Sequence, residues 1–468
     1  MDRPGIRPFV AIVAVATTLA VASVGEGDHP ARQVPVNATR PPGSGFEKSI
    51  TREQKVLVIK DLLRSTTAEV VHRPIRSTAF GAHRLAERFG VRLAESVPFL
   101  PFPPGHQDPE AGGPCTQARL TPLFDSEAAY WALHDLVASA RSRVDLMIFG
   151  WDDDEAGRSM ADALIERARS GVLVRLMIDR GGFVSGEGNA HVARGCPSFV
   201  EALKAEPNIR LIEAHDPGAR FDHRKIAIVD DRIAWTGGMI LTRTSLLDWH
   251  NFAFLAEGPI VSQYAALFAE RWQELGGEHA RPAPWAGSPP ISGPTNAAVR
   301  LVRTDVGHRS LKEAVYGAVD SARSRIFVEN AYFSDQILVK KLAAASRRGV
   351  DVRAVLTLRG DVHLMNELST ITANRLLRAG VRVYLYPRMT HVKAMSVDGT
   401  LAYIGTGNFD ELSLRNNREA ALTVRGAALV RDIDENLFLR DLADSQELRQ
   451  PLPSPKKRLL LEATSVWF

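Results

Sequence analysis

Short apolar runs and amphipathic stretches alternate along most of this chain. "VDLMIFGW", "VLVRLMID", "IRLIEA" and "KIAIVD" are rich in β-branched side chains and apolar at consecutive positions, which predicts strands buried on both faces. Between them lie segments such as "EAGRSMADALIERARSG", whose apolar residues recur at helical spacing. Strands interleaved with helices in this way give an α/β fold, a sheet covered by helices on both faces.

Breaker-rich segments punctuate the pattern. "ARQVPVNATRPPGSG" is a flexible lead-in, followed by "TREQKVLVIKDLLRST", where Thr51 is placed to cap a helix and Gln54 follows three residues on. "VPFLPFPPGHQDPEAGGPC" precedes the main body, and "WAGSPPISGPTN" at 285–296 splits the remainder into two similar lengths. The expected units are residues 1–22, an extension over 23–115, and domains over 116–288 and 289–468.

The two domains repeat each other. "ARSRVDLMIFGW" at 140–151 is echoed by "ARSRIFVENAYF" at 322–333, and "RSGVLVRLMID" from Arg169 by "RRGVDVRAVLT" from Arg347. His223 in "DHRKIAIVDDRIAWTGG" is echoed by His391 in "HVKAMSVDGTLAYIGTG", an offset of 168. Preserved order with a slowly falling offset is what a duplication with trimmed loops leaves behind. Two α/β domains packed side by side are therefore expected.

Composition adds little constraint. The chain has 468 residues, too many for one ordinary core, and its 58 Lys and Arg against 54 Asp and Glu leave a formal charge of +4. That permits an anionic partner without the concentrated basic charge of a nucleic-acid module. At the start, Arg3 and Arg7 precede an uncharged 17-residue run, Pro8 to Val24, with small residues at Ala20 and Ala22. This predicts an export signal cleaved after Ala22, or an uncleaved inner-membrane anchor, and hence a periplasmic or secreted protein. The only two cysteines, Cys115 and Cys196, are placed to pair in an oxidising compartment or to stay free. No H-E-x-x-H spacing is present, and two distant cysteines build no metal cluster.

The repeated element carries the chemistry. His223, Lys225 and Asp230 are spaced H-x-K-x4-D, as are His391, Lys393 and Asp398. In a strand, residues two apart share a face, so each histidine and its lysine point the same way. That geometry aims a nucleophile and a cation at the same point in each copy. The aspartates complete the motif at the far end of the strand, where fixing a turn or pairing with a cation suits them better than touching substrate.

This double pattern resembles the phospholipase D superfamily, and within it bacterial cardiolipin synthases and related phospholipases D. After the second motif, Gly405, Thr406, Asn408, Asp410, Ser413, Asn417 and Glu419 are in register with that family's continuation; after the first come Gly237, Gly238, "WHN" and "EGP". The resemblance implies duplicated domains about a pseudo-two-fold with the site between them. It also implies a covalent phosphohistidine and neither metal nor cofactor. Gly238, Thr406, Asn408, Asn417 and Glu419 are implied as substrate-binding positions.

The first copy departs from the pattern in two places. Where the family offers an Asn after the paired glycines, this chain has Ile240, with Thr242 or Thr244 nearby as replacements. The position 28 residues after the motif histidine is Glu419 in the second copy and Asn251 in the first. If the two halves support each other's histidines, Glu419 holds His223 and Asn251 faces His391, making His223 the nucleophile and His391 the acid and base. Asp248 is the alternative carboxylate.

The function expected from the resemblance is a phosphodiesterase or phosphatidyltransferase acting on phospholipids at a membrane surface. It would be a monomer using water, an alcohol or a second phospholipid as acceptor, with "VPFLPFPPG" as a candidate interfacial loop. A nuclease of the same superfamily and a non-catalytic protein binding anionic lipid are the alternatives, and a nucleic-acid partner is disfavoured by the modest charge.

Overall fold

In a computed structural model, residues 115–183, 198–216, 220–278 and 293–455 are described. The expected export signal, the "VPFLPFPPG" loop and Cys196, and with it the cysteine pairing, lie outside the described residues; Cys115 is exposed.

The first half contributes β1 (Thr116–Leu123), β2 (Arg143–Ile148), β3 (Leu173–Asp179), β4 (Ile209–Ala214), β5 (Ile226–Val229), β6 (Ile233–Gly237) and β7 (Ala253–Glu257). The second contributes β8 (Ala297–Thr304), β9 (Arg325–Asn330), β10 (Asp351–Leu356), β11 (Arg382–Leu385), β12 (Lys393–Val397), β13 (Leu401–Gly405), β14 (Glu419–Arg425) and β15 (Gln446–Leu448). All join one sheet of 15 strands in the order β15-β11-β10-β9-β12-β13-β14-β8-β1-β7-β6-β5-β2-β3-β4. The duplication is visible in that order. Outward from the β8–β1 seam it runs β14-β13-β12-β9-β10-β11 on one side and β7-β6-β5-β2-β3-β4 on the other. The seam is antiparallel, with Thr116 opposite Val299 and Ala118 opposite Ala297. The two domains thus share a sheet edge to edge, which pairs backbone groups that each half alone would leave open.

The consecutive apolar residues of the strands serve two cores. In β3, Val174, Leu176 and Ile178 face one core, with Met160 and Leu164 of helix Glu155–Arg169, while Met177 faces another. Arg175, on the same face as Met177, is buried in a bidentate pair with Asp145, its Nε 2.6 Å from Oδ1, with the Phe268 and Trp272 rings of that core 5.0 and 5.6 Å from its guanidinium carbon. Helix Glu155–Arg169 starts where the Asp154 side chain accepts from Gly157 N at 2.9 Å. Among the described residues no helix is long and apolar enough to cross a membrane.

Candidate active site

The motif histidines sit just outside the strands expected to hold them, while Lys393 opens β12 opposite Asn330. β5 begins at Ile226 opposite Met147, so His223, Arg224 and Lys225 form an extended lead-in beyond the ladder with β2. Their backbone pairs with the other half instead. His223 N donates to Arg418 O at 3.0 Å and Arg418 N to Phe221 O at 2.8 Å. His391 N likewise donates to His250 O at 2.7 Å, and His250 N to Met389 O at 2.9 Å. Each histidine is therefore positioned by main-chain bonds across the two halves. Lys225 Nζ donates to His223 O at 2.6 Å and Lys393 Nζ to His391 O at 2.8 Å, which turns each ammonium back towards its own histidine.

The side-chain partners also cross. His223 Nδ1 lies 2.8 Å from Glu419 Oε1, and Glu419 accepts in addition from the Ser413 hydroxyl at 2.7 Å and the Thr406 hydroxyl at 2.5 Å. His391 Nδ1 lies 3.1 Å from Asn251 Oδ1. The Asn251 amide donates to Ser245 O at 2.9 Å and the Ser126 hydroxyl at 3.1 Å. Because a carbonyl faces its nitrogen, Asn251 presents oxygen to His391, and the His391 proton is assigned to Nδ1. With Nδ1 engaged in both rings, Nε2 of each is the nitrogen left for chemistry. Phe149 packs edge-on to His223 at 4.7 Å between centroids and Trp249 lies 4.8 Å from His391.

Burial dominates the electrostatics. It pushes His223 down to about 4, with Lys225 and Lys393 adding to the shift and Glu419 opposing it. Burial likewise holds His391 well below the usual imidazole range, reinforced by Lys393, Lys225 and His223. Lys225 is brought down to about 7 by burial against the opposing charges of Glu419, Asp222 and Asp179, and Lys393 is depressed by burial and by Lys225. For Glu419 burial acts upward, but the charge and hydrogen bond of His223, together with Lys225, outweigh it and hold the carboxyl below its ordinary value. The site is a buried concentration of nitrogen bases with Glu419 in contact with one of the rings, which is suited to receive a phosphate.

The family model described as "Cardiolipin synthase, PLD-like domain" matches residues 133–272 and again 316–441, more than half of the chain and both motifs. The chain belongs to the phospholipase D-like family. It is 28% identical over 326 residues to the cardiolipin synthase A of Edwardsiella ictaluri (strain 93-146), covering 66% of this chain and 64% of that protein. It is 27% identical over 359 residues to the cardiolipin synthase A of Klebsiella pneumoniae (strain 342), covering 71% and 72%. The chain thus spans roughly two thirds of the length of these curated relatives. The crystal structure of a phosphatidylserine synthase from Haemophilus influenzae Rd KW20 superposes with a TM-score of 0.56 at 12% identity, over 73% of this chain and 90% of that one, a likeness of fold.

The structure shows how this phospholipase D-like chain fills the positions that depart from the pattern. Ile240 is half-buried against Gly150. The Thr242 side chain accepts from Ser245 N at 3.0 Å and caps helix Arg243–Leu247. Asp248 is exposed at the end of that helix, while Asn251 is fully buried and holds His391. In the second copy Asp410 caps helix Glu411–Arg415 by accepting from Ser413 N at 2.7 Å, and burial raises it to about 7. Asn417 Oδ1 accepts from Phe221 N at 3.1 Å and joins the halves. Asn408 is buried with Oδ1 free of any protein partner. Gly238 lies close against the second half: a Cβ there would lie 2.3 Å from His391 O.

Asp230 and Asp398 lie at the other end of their strands, and their contacts are those of turn residues. Both have positive φ, 54° each. Asp230 accepts from the backbone N–H groups of Arg141, Ser142 and Arg143, and Asp398 from those of Arg323, Ser324 and Arg325, at 2.7 to 2.9 Å. Each clamps the start of the neighbouring strand, β2 or β9.

Sequence reasoning missed the supports behind the rings. Ser245 precedes Ser413 by the same 168 positions that separate the histidines, so the repeat contained that signal. Trp249 stood in the "WHN" landmark without a role, and Ser126 and Phe149 left no signal. Beneath His223 lies a buried ion network in which Asp222 accepts from Arg224 Nε at 2.7 Å and Arg271 Nε at 3.0 Å, while Arg418 Nε reaches Asp216 at 2.8 Å. "DHRK" shows two of these charges beside the motif.

Proposed function

We propose that the chain is a phospholipid phosphodiesterase or phosphatidyltransferase in which His223 is the nucleophile and His391 the general acid and base. The observation that carries the division is the crossed pairing: His223 rests on a carboxylate at 2.8 Å, His391 on a neutral amide at 3.1 Å. In the first step His223 Nε2 attacks phosphorus, the bond to the leaving alkoxide breaks, and His391 Nε2–H protonates that oxygen. The phosphoryl group leaves the His223 ring cationic, and Glu419 offsets this charge. His391 must be protonated beforehand; the anionic substrate supplies the negative charge that favours this against burial and the lysines. In the second step an acceptor hydroxyl gives its proton to His391, its oxygen attacks phosphorus, and the N–P bond breaks. Lys225, Lys393 and Asn408 would hold the phosphate oxygens.

A phospholipid as substrate is supported by the names of the relatives, cardiolipin synthase A and phosphatidylserine synthase. Action at a membrane surface by an exported monomer fits the basic, then uncharged N-terminal sequence and the presence of both motifs in one chain. The test gives purified protein phosphatidylglycerol, phosphatidylethanolamine and single-stranded DNA side by side, with and without an alcohol. Cardiolipin, a phosphatidyl-alcohol or phosphatidic acid is expected, absent with His223→Ala. Cleavage of DNA alone would make it a nuclease. Labelled phosphate trapped on protein in His223→Ala but not in His391→Ala would reverse the roles of the histidines.

A further inference from the structure

Behind the His391 side of the site lies a second group of titratable residues that the phosphotransfer scheme does not use. His250 precedes β7, Glu329 lies in β9 and Asp441 in the short helix Arg440–Asp444. All three are buried, at 2%, 0% and 0% exposure. One ligand atom from each lies within 4.8 Å of the others, and His250 Nε2 is 2.8 Å from Asp441 Oδ2. The Thr390 hydroxyl donates to Glu329 Oε1. Glu329 Oε2 and Asp441 Oδ1 are enclosed without a hydrogen-bond partner.

Two carboxylates shut away from water need positive charge between them. Among the described residues no lysine or arginine forms an ion pair with either, and His250 as imidazolium would neutralise only one. Two arrangements satisfy the group: a proton shared by the carboxylates, or a cation. A divalent cation with neutral His250 balances both carboxylates and uses both orphaned oxygens.

We propose that His250, Glu329 and Asp441 bind one divalent cation of borderline hardness, Zn²⁺ in the first instance, as a staple between the two halves of the protein. An imidazole with two carboxylates suits zinc or manganese. Calcium and magnesium favour more oxygen ligands or retained water, which a buried trio with one nitrogen does not offer. Metal–ligand bonds of about 2.1 Å at tetrahedral angles place ligand atoms about 3.4 Å apart, so separations of 2.8 Å and up to 4.8 Å adjust by about an ångström. The Tyr386 ring stacks on His250 at 5.1 Å, and Thr390 steadies Glu329, which orients two of the three ligands.

The staple ties together the strands that carry the acid-base side of the site. His250 adjoins Asn251, which holds His391, and the His250 carbonyl accepts from His391 N at 2.7 Å. Glu329 sits opposite Ala394, directly after Lys393. A cation here would pin the segment around Asn251 to the segment around His391.

The experiment is metal analysis of untagged full-length protein purified without chelator. About one zinc or manganese per chain is expected. Dialysis against a chelator should lower Tm, and Zn²⁺ alone should restore it. Glu329→Gln and Asp441→Asn should each weaken metal binding at least tenfold, measured by competition with a chromophoric chelator. Wild-type protein without stoichiometric metal, whose Tm ignores both chelator and micromolar Zn²⁺ and Mn²⁺, would overturn the proposal in favour of the shared proton. Undiminished metal in a folded Glu329→Gln or Asp441→Asn variant would overturn it equally. Should both variants fail to fold, wild-type metal content and its reversal by chelator decide the matter, independently of any activity.

Discussion

Replacing Glu419 with Gln removes one negative charge from beside His223 while keeping the shape of the side chain. Glu419 Oε1 serves His223 and Ser413, and Oε2 serves Thr406. A Gln carbonyl keeps the first two bonds. Its amide then turns to Thr406, whose hydroxyl can accept and redirect its own hydrogen to Ala420 O, 3.2 Å away. The fold therefore survives, with a stability change of about 1–2 kcal/mol. The proposed chemistry suffers more. A hydrogen bond to a charged group contributes about 1.5–3 kcal/mol against about 0.5–1.5 for a neutral one, and the cationic phosphohistidine is where that difference counts. Taking the upper part of that difference for a buried site, about 1.4–2.5 kcal/mol, kcat should fall about 10- to 70-fold. Rapid quench should show phosphohistidine formation slowed by the same factor, with KM changed by less than about threefold. The reciprocal variant, Asn251→Asp, should gain nothing: it would set a carboxylate oxygen 2.9 Å from the Ser245 carbonyl, and Tm should drop. A Glu419→Gln enzyme within about threefold of wild-type kcat at unchanged Tm would refute the role given to the carboxylate.

The remaining expectations concern the turn aspartates, the close contact at Gly238 and pH. Asp398→Ala loses three backbone amide partners and leaves Ala at φ 54°; partial exposure discounts the cost to about 1–2 kcal/mol. A lower Tm with kcat retained is expected, and lost activity at full Tm would place Asp398 in the chemistry. Gly238→Ala drives a Cβ to 2.3 Å from His391 O, a backbone atom that cannot yield, so folding calorimetry should register a loss of about 3 kcal/mol or more; wild-type Tm would contradict this close approach. For kcat/KM, activity should fall as pH drops through about 4, where His223 gains a proton and stops being a nucleophile. It should also fall as pH rises, first where His391, held low by burial and the lysines, gives up the proton that the leaving group needs, and further through about 7, where Lys225 loses its charge. A profile flat from about pH 5 to 9 would contradict the lysine assignment.

What the sequence determined by itself was whatever depends on periodicity and repetition. Apolar runs such as "VLVRLMID" became β3 with residues in two cores, the helix expected in "EAGRSMADALIERARSG" is capped by Asp154, and the offset of 168 identified two copies of one site. The same offset made Glu419 and Asn251 counterparts. What only the tertiary structure decided was which partner serves which ring: Glu419 lies 196 residues from His223 and Asn251 140 residues from His391. It also decided that β1 and β8 fuse two half-sheets, that the histidines stand just outside their strands on backbone bonds from the opposite half, and that His250, Glu329 and Asp441 converge. The physical reason is that local patterning fixes the faces of a strand or helix through covalent geometry. A buried polar group, by contrast, is satisfied by whatever packing brings within about 3 Å, and no spacing along the chain encodes that distance.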